Sequence, residues 1–299
     1  MIHITEEQVR RYLSVRDCIE VLRDAFRHPF VNIPRYRLKS RNSLLHVMSA
    51  SIPDLNIMGL KSYGTSRTAG DFAVLLFEET TGNLMATVEA DALGQIRTGA
   101  ASGLATDLLA RKDAAIGAVI GTGFQAETQL LAIDAVRAFQ QIRVFSRSEE
   151  NRRSFVHRMQ PLVRARLVEA GSAEQCSRGS DVICTITSSR EPVLFGDWLD
   201  PGCHVNAAGV NWADKRELDE TAVRRAGLVC VDHLEQSKIE AGDLIGVLST
   251  WDGVAELADV VAGKVGRKSA EQITLFKSNG IAAEDIAAAL FLYQELAQG

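Results

Sequence analysis

Ala114-Ala115-Ile116-Gly117-Ala118-Val119-Ile120-Gly121-Thr122-Gly123-Phe124-Gln125-Ala126 is the stretch on which the reading of this chain turns. The unbroken apolar run to Ile120 reads as a strand buried on both faces, the kind found in parallel sheets. It ends in a GxGxxA step, and a helix, Ala126–Phe139, follows. Strand, glycine turn and helix in that order form the dinucleotide-binding signature. Gly121 permits the tight turn, Gly123 lets backbone approach a pyrophosphate, and Ala126 lets the helix lie close to the strand. The amides at the helix N-terminus, with Thr122, Phe124 and Gln125 around them, then face the phosphates.

Working outward, the next strand, Ile142–Phe145, ends in Ser146-Arg147-Ser148. A site for NAD expects an acid near this point, to accept from the ribose hydroxyls. An arginine flanked by two hydroxyls suits a 2′-phosphate, so the reading favours NADP over NAD. Further runs at Arg166–Glu169, Val182–Thr185, His204–Ala208 and Leu228–Val231 alternate with helical stretches, which implies βαβ units and a parallel sheet. Before residue 112 the style differs. Helices over 5–27 end at Pro29 and Pro34. Short strands at Leu44–Met48, Ile57–Tyr63 and Phe72–Glu78 imply an antiparallel sheet, and a long helix runs from about Thr98 to Arg111. The Ala-rich helix Ala282–Leu296 is expected to return to this first part. The expected organisation is an α/β chain with a Rossmann-type NAD(P)-binding domain over 113–280. An α+β substrate-binding and dimerisation domain is expected over 1–112 plus 281–299.

Composition narrows the function. The 299 residues carry 33 Lys+Arg against 38 Asp+Glu, a net charge of −5, which argues against a nucleic-acid partner. No apolar run approaches the length of a membrane span, and the N-terminus lacks the apolar core of a signal peptide. Five scattered cysteines without a CxxC pair indicate neither a zinc site nor a disulfide framework, and fit buried thiols in the cytoplasm.

Several longer strings converge. They are Ile96-Arg97-Thr98-Gly99-Ala100-Ala101-Ser102-Gly103-Leu104-Ala105, Lys215-Arg216-Glu217-Leu218-Asp219, Thr274-Leu275-Phe276-Lys277-Ser278-Asn279-Gly280 and Glu284-Asp285. With the glycine turn and Gly59-Leu60-Lys61, they resemble the ornithine cyclodeaminase/mu-crystallin family over nearly the whole chain. The resemblance implies a homodimer that moves hydride between a nicotinamide and a carbon bearing nitrogen and a carboxylate. Cyclic ketimines such as Δ1-pyrroline-2-carboxylate are the typical substrates. Arg97 and Arg35 would hold the carboxylate, with Arg37, two residues on, an equal alternative to Arg35. Lys61 would stand beside the reacting carbon as proton donor. A lysine in an apolar strand context is otherwise an edge residue pointing to water. Thr98, Thr185, Asn211 and Asp232 join the cofactor candidates, although Asp232 could equally cap the helix that follows it.

One departure matters. Where the family's cyclodeaminases carry aspartate in a Gly-x-Asp step, this chain has Gly209-Val210-Asn211. An amide neither pairs with an ammonium as an ion nor acts as a base at neutral pH. This weakens an ornithine cyclodeaminase reading and favours a ketimine reductase or amino acid dehydrogenase, with Asn211 beside substrate or nicotinamide. A non-catalytic ligand-binding protein is the third reading. No metal site is expected.

Overall fold

The computed structural model describes residues 1–66 and 70–297, and they form two compact units. The first comprises residues 1–97 and 280–299, the second residues 98–279. Among the described residues no helix is long and apolar enough to cross a membrane.

The first unit is built on a six-stranded sheet of β1 (Ile2–Ile4), β2 (Val31–Lys39), β3 (Ser43–Ile52), β4 (Ile57–Ser66), β5 (Phe72–Glu78) and β6 (Leu84–Glu89), ordered β1-β6-β5-β4-β3-β2. All pairs are antiparallel except β1 with β6. Two short helices, α1 (Glu6–Tyr12) and α2 (Val15–Ala25), follow β1. Thr5 and Gln8 cap α1 reciprocally, and Ser14 caps α2. The chain returns at its end as helix α10 (Ala282–Ala297), whose first amide donates to the side chain of Asn32. Its alanines suit a close approach to the sheet. A Cβ added at Gly59 would lie 2.9 Å from Ile286 and 2.5 Å from the Leu75 carbonyl oxygen.

Two details differ from the sequence reading. Pro34 does not end an element. It sits inside β2, an edge strand where a missing N–H is tolerated, at a bulge between Ile33 and Tyr36. The long helix α3 (Asp91–Leu109) starts seven residues before Thr98, so Arg97 lies within it rather than at its head. The distant Glu6 carboxylate accepts from the amides of Asp91 and Ala92 and supplies a cap that no local residue type announces.

The second unit is an eight-stranded, wholly parallel sheet. Its strands are β7 (Ile116–Ile120), β8 (Gln141–Phe145), β9 (Arg166–Glu169), β10 (Val182–Thr185), β11 (His204–Ala207), β12 (Leu228–Val231), β13 (Ala255–Glu256) and β14 (Thr274–Lys277). The order β13-β12-β14-β11-β10-β7-β8-β9 reverses direction between β7 and β10, which is where doubly wound sheets bind ligands. Between strands lie α4 (Phe124–Val136), α5 (Glu149–Met159), α6 (Ala173–Ser177), α7 (Glu220–Arg225), α8 (Leu234–Glu240) and α9 (Leu257–Val261). The strands show near-continuous burial, as a sheet covered on both faces requires.

Arg137, itself buried, stops α3. Its guanidinium donates to the carbonyls of Thr106, Asp107, Ala110 and Arg111 and pairs with the Asp107 carboxylate. Nearby, His204 bridges Thr274 and Asn206 inside the sheet, and burial pushes its pKa down to about 3, so it is neutral and structural. Replacing Arg137 by Met should destabilise the fold by about 3 kcal/mol, because the carbonyls of Thr106, Asp107, Ala110 and Arg111 lose a shared donor at once, although Asp107 keeps its ion pair with Lys112. Urea denaturation measures this, and a change below about 1 kcal/mol would refute the capping role.

Candidate active site

The first unit gathers charge on the sheet face that α10 covers. Register places Met48 opposite Lys61, His46 opposite Tyr63 and Arg37 opposite His46, so all five share that face. Arg35 joins them, its Nε 3.3 Å from the Met48 sulfur, while its Nη2 donates to the Gly280 carbonyl at 3.0 Å. The structure thus buries Arg35 and leaves Arg37 half-buried beside it.

Lys61 is only 2% exposed, so the edge-residue reading does not apply. Its Nζ lies 2.8 Å from Asp285 Oδ1, and Arg97 Nε reaches the same oxygen at 2.9 Å. Arg97 Nη1 pairs with Glu284 at 2.9 Å. Two glycines make room for these cations. A Cβ at Gly94 would fall 2.7 Å from Lys61 Nζ, and one at Gly280 (φ +74°) would fall 2.5 Å from Arg97 Nη1. Burial lowers the Lys61 pKa to about 8, against the opposing pull of Asp285, with Arg97 and Arg35 adding to the fall. Beside Lys61, the rings of His46, Tyr63 and Phe72 stack at centroid spacings of 4.2 and 4.8 Å. Burial and the two neighbouring arginines hold His46 down at about 4, so this row is neutral.

In the second unit a cleft of about 560 Å³ opens at the carboxyl ends of the strands. It is lined by the β7–α4 turn (Gly121–Gln125), the end of β8 (Ser146–Ser148), Asn151, the β10 exit (Ile186–Ser189) and Gly209. Gly121 has φ +121°, and a Cβ there would sit 2.2 Å from the Ile186 carbonyl oxygen. A Cβ at Gly123 would meet no protein atom within 4 Å, so the backbone is bare on its cleft side. Gly123 caps α4 without a side chain, and the buried Gln125 Oε1 has no hydrogen-bond partner. An open helix N-terminus, a bare glycine and an orphaned acceptor fit the pyrophosphate and amide groups of a dinucleotide. Ser146, Arg147 and Ser148 stand at the rim, and no carboxylate is among the lining residues.

Other candidates are employed elsewhere. The Thr185 hydroxyl donates to Glu217 and does not reach the cleft wall. The Thr98 carbonyl accepts from Gln129, while Gly99 lies against the Thr128 backbone and brings α3 close to α4. Asp232 is buried, and its oxygens accept from the amides of His233 and Asn279. It does not cap α8; the His233 side chain does so, because its ring accepts from Gln236. Asn211 is half-buried and outside the cleft lining, next to Val210, whose carbonyl accepts from Lys277. The sequence reading missed Glu284, Asp285, Gly94, Glu217 and Asp243. Glu284, Asp285 and Glu217 all lie in distinctive sequence strings, but acids early in a helix or in a charged run resemble solvated surface charge.

Comparison with known proteins places the chain among characterised relatives. Mouse ketimine reductase mu-crystallin is 36% identical over 227 residues, 76% of this chain and 70% of its own. Alanine dehydrogenase of Archaeoglobus fulgidus is 32% identical over 307 residues, covering 97% of this chain and 94% of its own. The structure of Thermococcus litoralis Δ1-pyrroline-2-carboxylate reductase in complex with NADH and L-proline superposes with a TM-score of 0.93. It shares 32% identity and covers 100% of this chain and 98% of that one. Residues 2–299 match one family throughout, and the chain belongs to the ornithine cyclodeaminase/mu-crystallin family.

Proposed function

We propose that the protein is an NAD(P)H-dependent oxidoreductase that reduces the C=N bond of a 2-imino acid, with a cyclic ketimine such as Δ1-pyrroline-2-carboxylate as the preferred substrate class. The observation that carries this is Lys61, a buried amine held beside the guanidinium of Arg97 and paired with Asp285, its pKa lowered by burial to about 8. The named activities of the relatives support it. When bound in the second unit's cleft, the nicotinamide supplies the hydride. Arg97 and Arg35 bind the carboxylate through planar guanidinium donors. Lys61 gives a proton to the imine nitrogen, which leaves a secondary amine when hydride reaches carbon. The neutral aromatic row His46, Tyr63 and Phe72 suits a flat, uncharged ring. The two acids of α10 beside Lys61 and Arg97, Glu284 and Asp285, are already paired with cations, and Asn211 carries no charge that could pair with a distal ammonium. That favours reduction over the ammonia-eliminating cyclisation of ornithine.

As a proton donor Lys61 works only while protonated. Because its pKa is lowered to about 8, kcat/KM for the imine should be level below that pH and fall about tenfold per unit above it. Asp285→Asn removes the group that opposes the fall, so the limb should move to lower pH. Lys61→Met should abolish turnover while dinucleotide binding persists. Retained turnover, or a pH profile without this limb, would remove Lys61 from the mechanism.

At the end of β8, Arg147 is exposed and the cleft rim lacks a carboxylate, which supports NADPH as the preferred donor. Arg147→Ala should raise KM for NADPH roughly tenfold, the size of a charge-assisted hydrogen bond, and leave KM for NADH within about twofold. Equal effects on both would count against a 2′-phosphate contact.

The homodimer is also part of this proposal. The sheet face turned away from α10 shows Val31, Ile33, Tyr36 and Leu38 of β2 and Leu45 of β3, each at least 42% exposed. A contiguous apolar face of this kind on an edge strand marks an association surface. Tyr36→Glu with Leu38→Glu should shift sedimentation from dimer to monomer, and a wild-type monomer would refute it.

A further inference from the structure

Behind the cleft lies a buried charge cluster that the reaction does not use. Glu217, Asp243 and Lys277 are all 0% exposed. Glu217 comes from the Lys215–Asp219 string and Lys277 from the end of β14, so two of the distinctive sequence strings meet here. The Glu217 carboxylate accepts four hydrogen bonds. Oε1 takes the Thr187 amide at 2.6 Å and its hydroxyl at 2.8 Å. Oε2 takes the Gly209 amide at 2.8 Å and the Thr185 hydroxyl at 3.0 Å. Thr187 and Gly209 both line the cleft, one after β10 and the other after β11. One side chain therefore ties together two walls that belong to different strands.

The surroundings leave the carboxylate little freedom. A Cβ at Gly209 would fall 2.6 Å from Glu217 Oε1 and 2.3 Å from the Thr187 nitrogen, so the loops meet backbone to backbone around it. Asp243 Oδ1 accepts from the amides of Glu217 and Leu218 at 2.6 and 2.9 Å and fixes the stretch that carries the carboxylate. Asp243 Oδ2 lies 2.8 Å from Lys277 Nζ, which also donates to the Val210 carbonyl. The residue before Asn211 is thus anchored to the same cluster. The third wall is coupled sterically, since Gly121 lies against the Ile186 carbonyl, one residue before Thr187.

We propose that Glu217 is a positioning residue for dinucleotide binding, which holds the β10 and β11 exit loops in register so that the cleft is formed before the ligand arrives. A site assembled in advance binds more tightly because the loops need no ordering on binding. A mere surface acid would not be stripped of water; here burial pushes the carboxyl up against four donors and the nearby lysine, which is tolerated only where each hydrogen bond is made. Glu217 touches no substrate on this account, so the chemical step is left intact.

This rests on the dinucleotide reading, and the experiment separates the two. Binding of NADPH and of NADH is measured by nucleotide fluorescence titration on wild type, Glu217→Gln and Thr185→Val, with steady-state kinetics and amide hydrogen exchange on the same proteins. Glu217→Gln turns an acceptor into an amide that faces donors. It should weaken dinucleotide binding roughly tenfold and accelerate exchange at the Thr187 and Gly209 amides. kcat at saturation and KM for the imine should stay within about threefold. Thr185→Val keeps shape, removes one donor outside the cleft wall, and should weaken binding by a smaller factor in the same direction. Unchanged affinity with unchanged exchange in both variants would overturn the proposal. So would a Glu217→Gln protein that loses kcat, imine KM and melting temperature together, since that is general unfolding. If wild type binds neither nucleotide, the dinucleotide reading fails, and the exchange rates alone still decide whether Glu217 anchors the two loops.

Discussion

The first unit depends on one unusual constraint, the placing of cations and carboxylates together where water is scarce. Buried charges are stable only when each finds a partner and hydrogen bonds. Here Asp285 serves Lys61 and Arg97 with a single oxygen, and Glu284 takes the second branch of the same guanidinium. Much else follows from that arrangement. α10 must return to the sheet because it carries both acids. Gly94 and Gly280 must lack side chains because the cation tips occupy that space. The lysine then reaches a pKa at which a proton can leave, a state that burial alone would overshoot and exposure would prevent.

The second unit solves a different problem by related means. Its central strands are buried on both faces, and the polar side chains among them, such as His204, Asn206 and Thr274, are hydrogen-bonded to one another. Charge enters at the carboxyl ends, where loops must be held open to a ligand rather than packed shut. Glu217 binds loop amides there as other proteins use caps to bind helix amides. The bare glycine turn at Gly121–Gly123 leaves the facing wall clear.

Much of this was legible in sequence, for identifiable reasons. The parallel sheet announced itself because a buried strand followed by a glycine turn and a helix leaves a dense local pattern in Ala114–Ala126. Lys61 stood out because a lysine in an apolar run is costly. What escaped depends on distant partners. The start of α3 at Asp91 is set by Glu6, some 85 positions away in the chain. The role of Glu284 and Asp285 is set by cations on two other elements. Glu217 looked like one more acid in a charged string, because nothing local reveals that Thr187 and Gly209 surround it. The ambiguity between Arg35 and Arg37 had another cause. Both lie on the same face, and only burial separates them.

That shared face has a consequence of its own. In a strand, the side to which a residue points is a matter of parity, odd or even. Ile33 stands opposite Ser49 and Tyr36 opposite Val47, so β2 spends three residues where β3 spends two. The extra residue at Pro34-Arg35 is a one-letter frameshift in that parity. Before it, odd-numbered residues face outward; after it, Arg35 and Arg37 face inward and Tyr36 and Leu38 outward. A single inserted residue thus sends two arginines to the side of the sheet where Lys61 lies and two apolar residues to the other. Buried cations and exposed apolar side chains are sorted onto opposite faces of one edge strand by a single backbone irregularity.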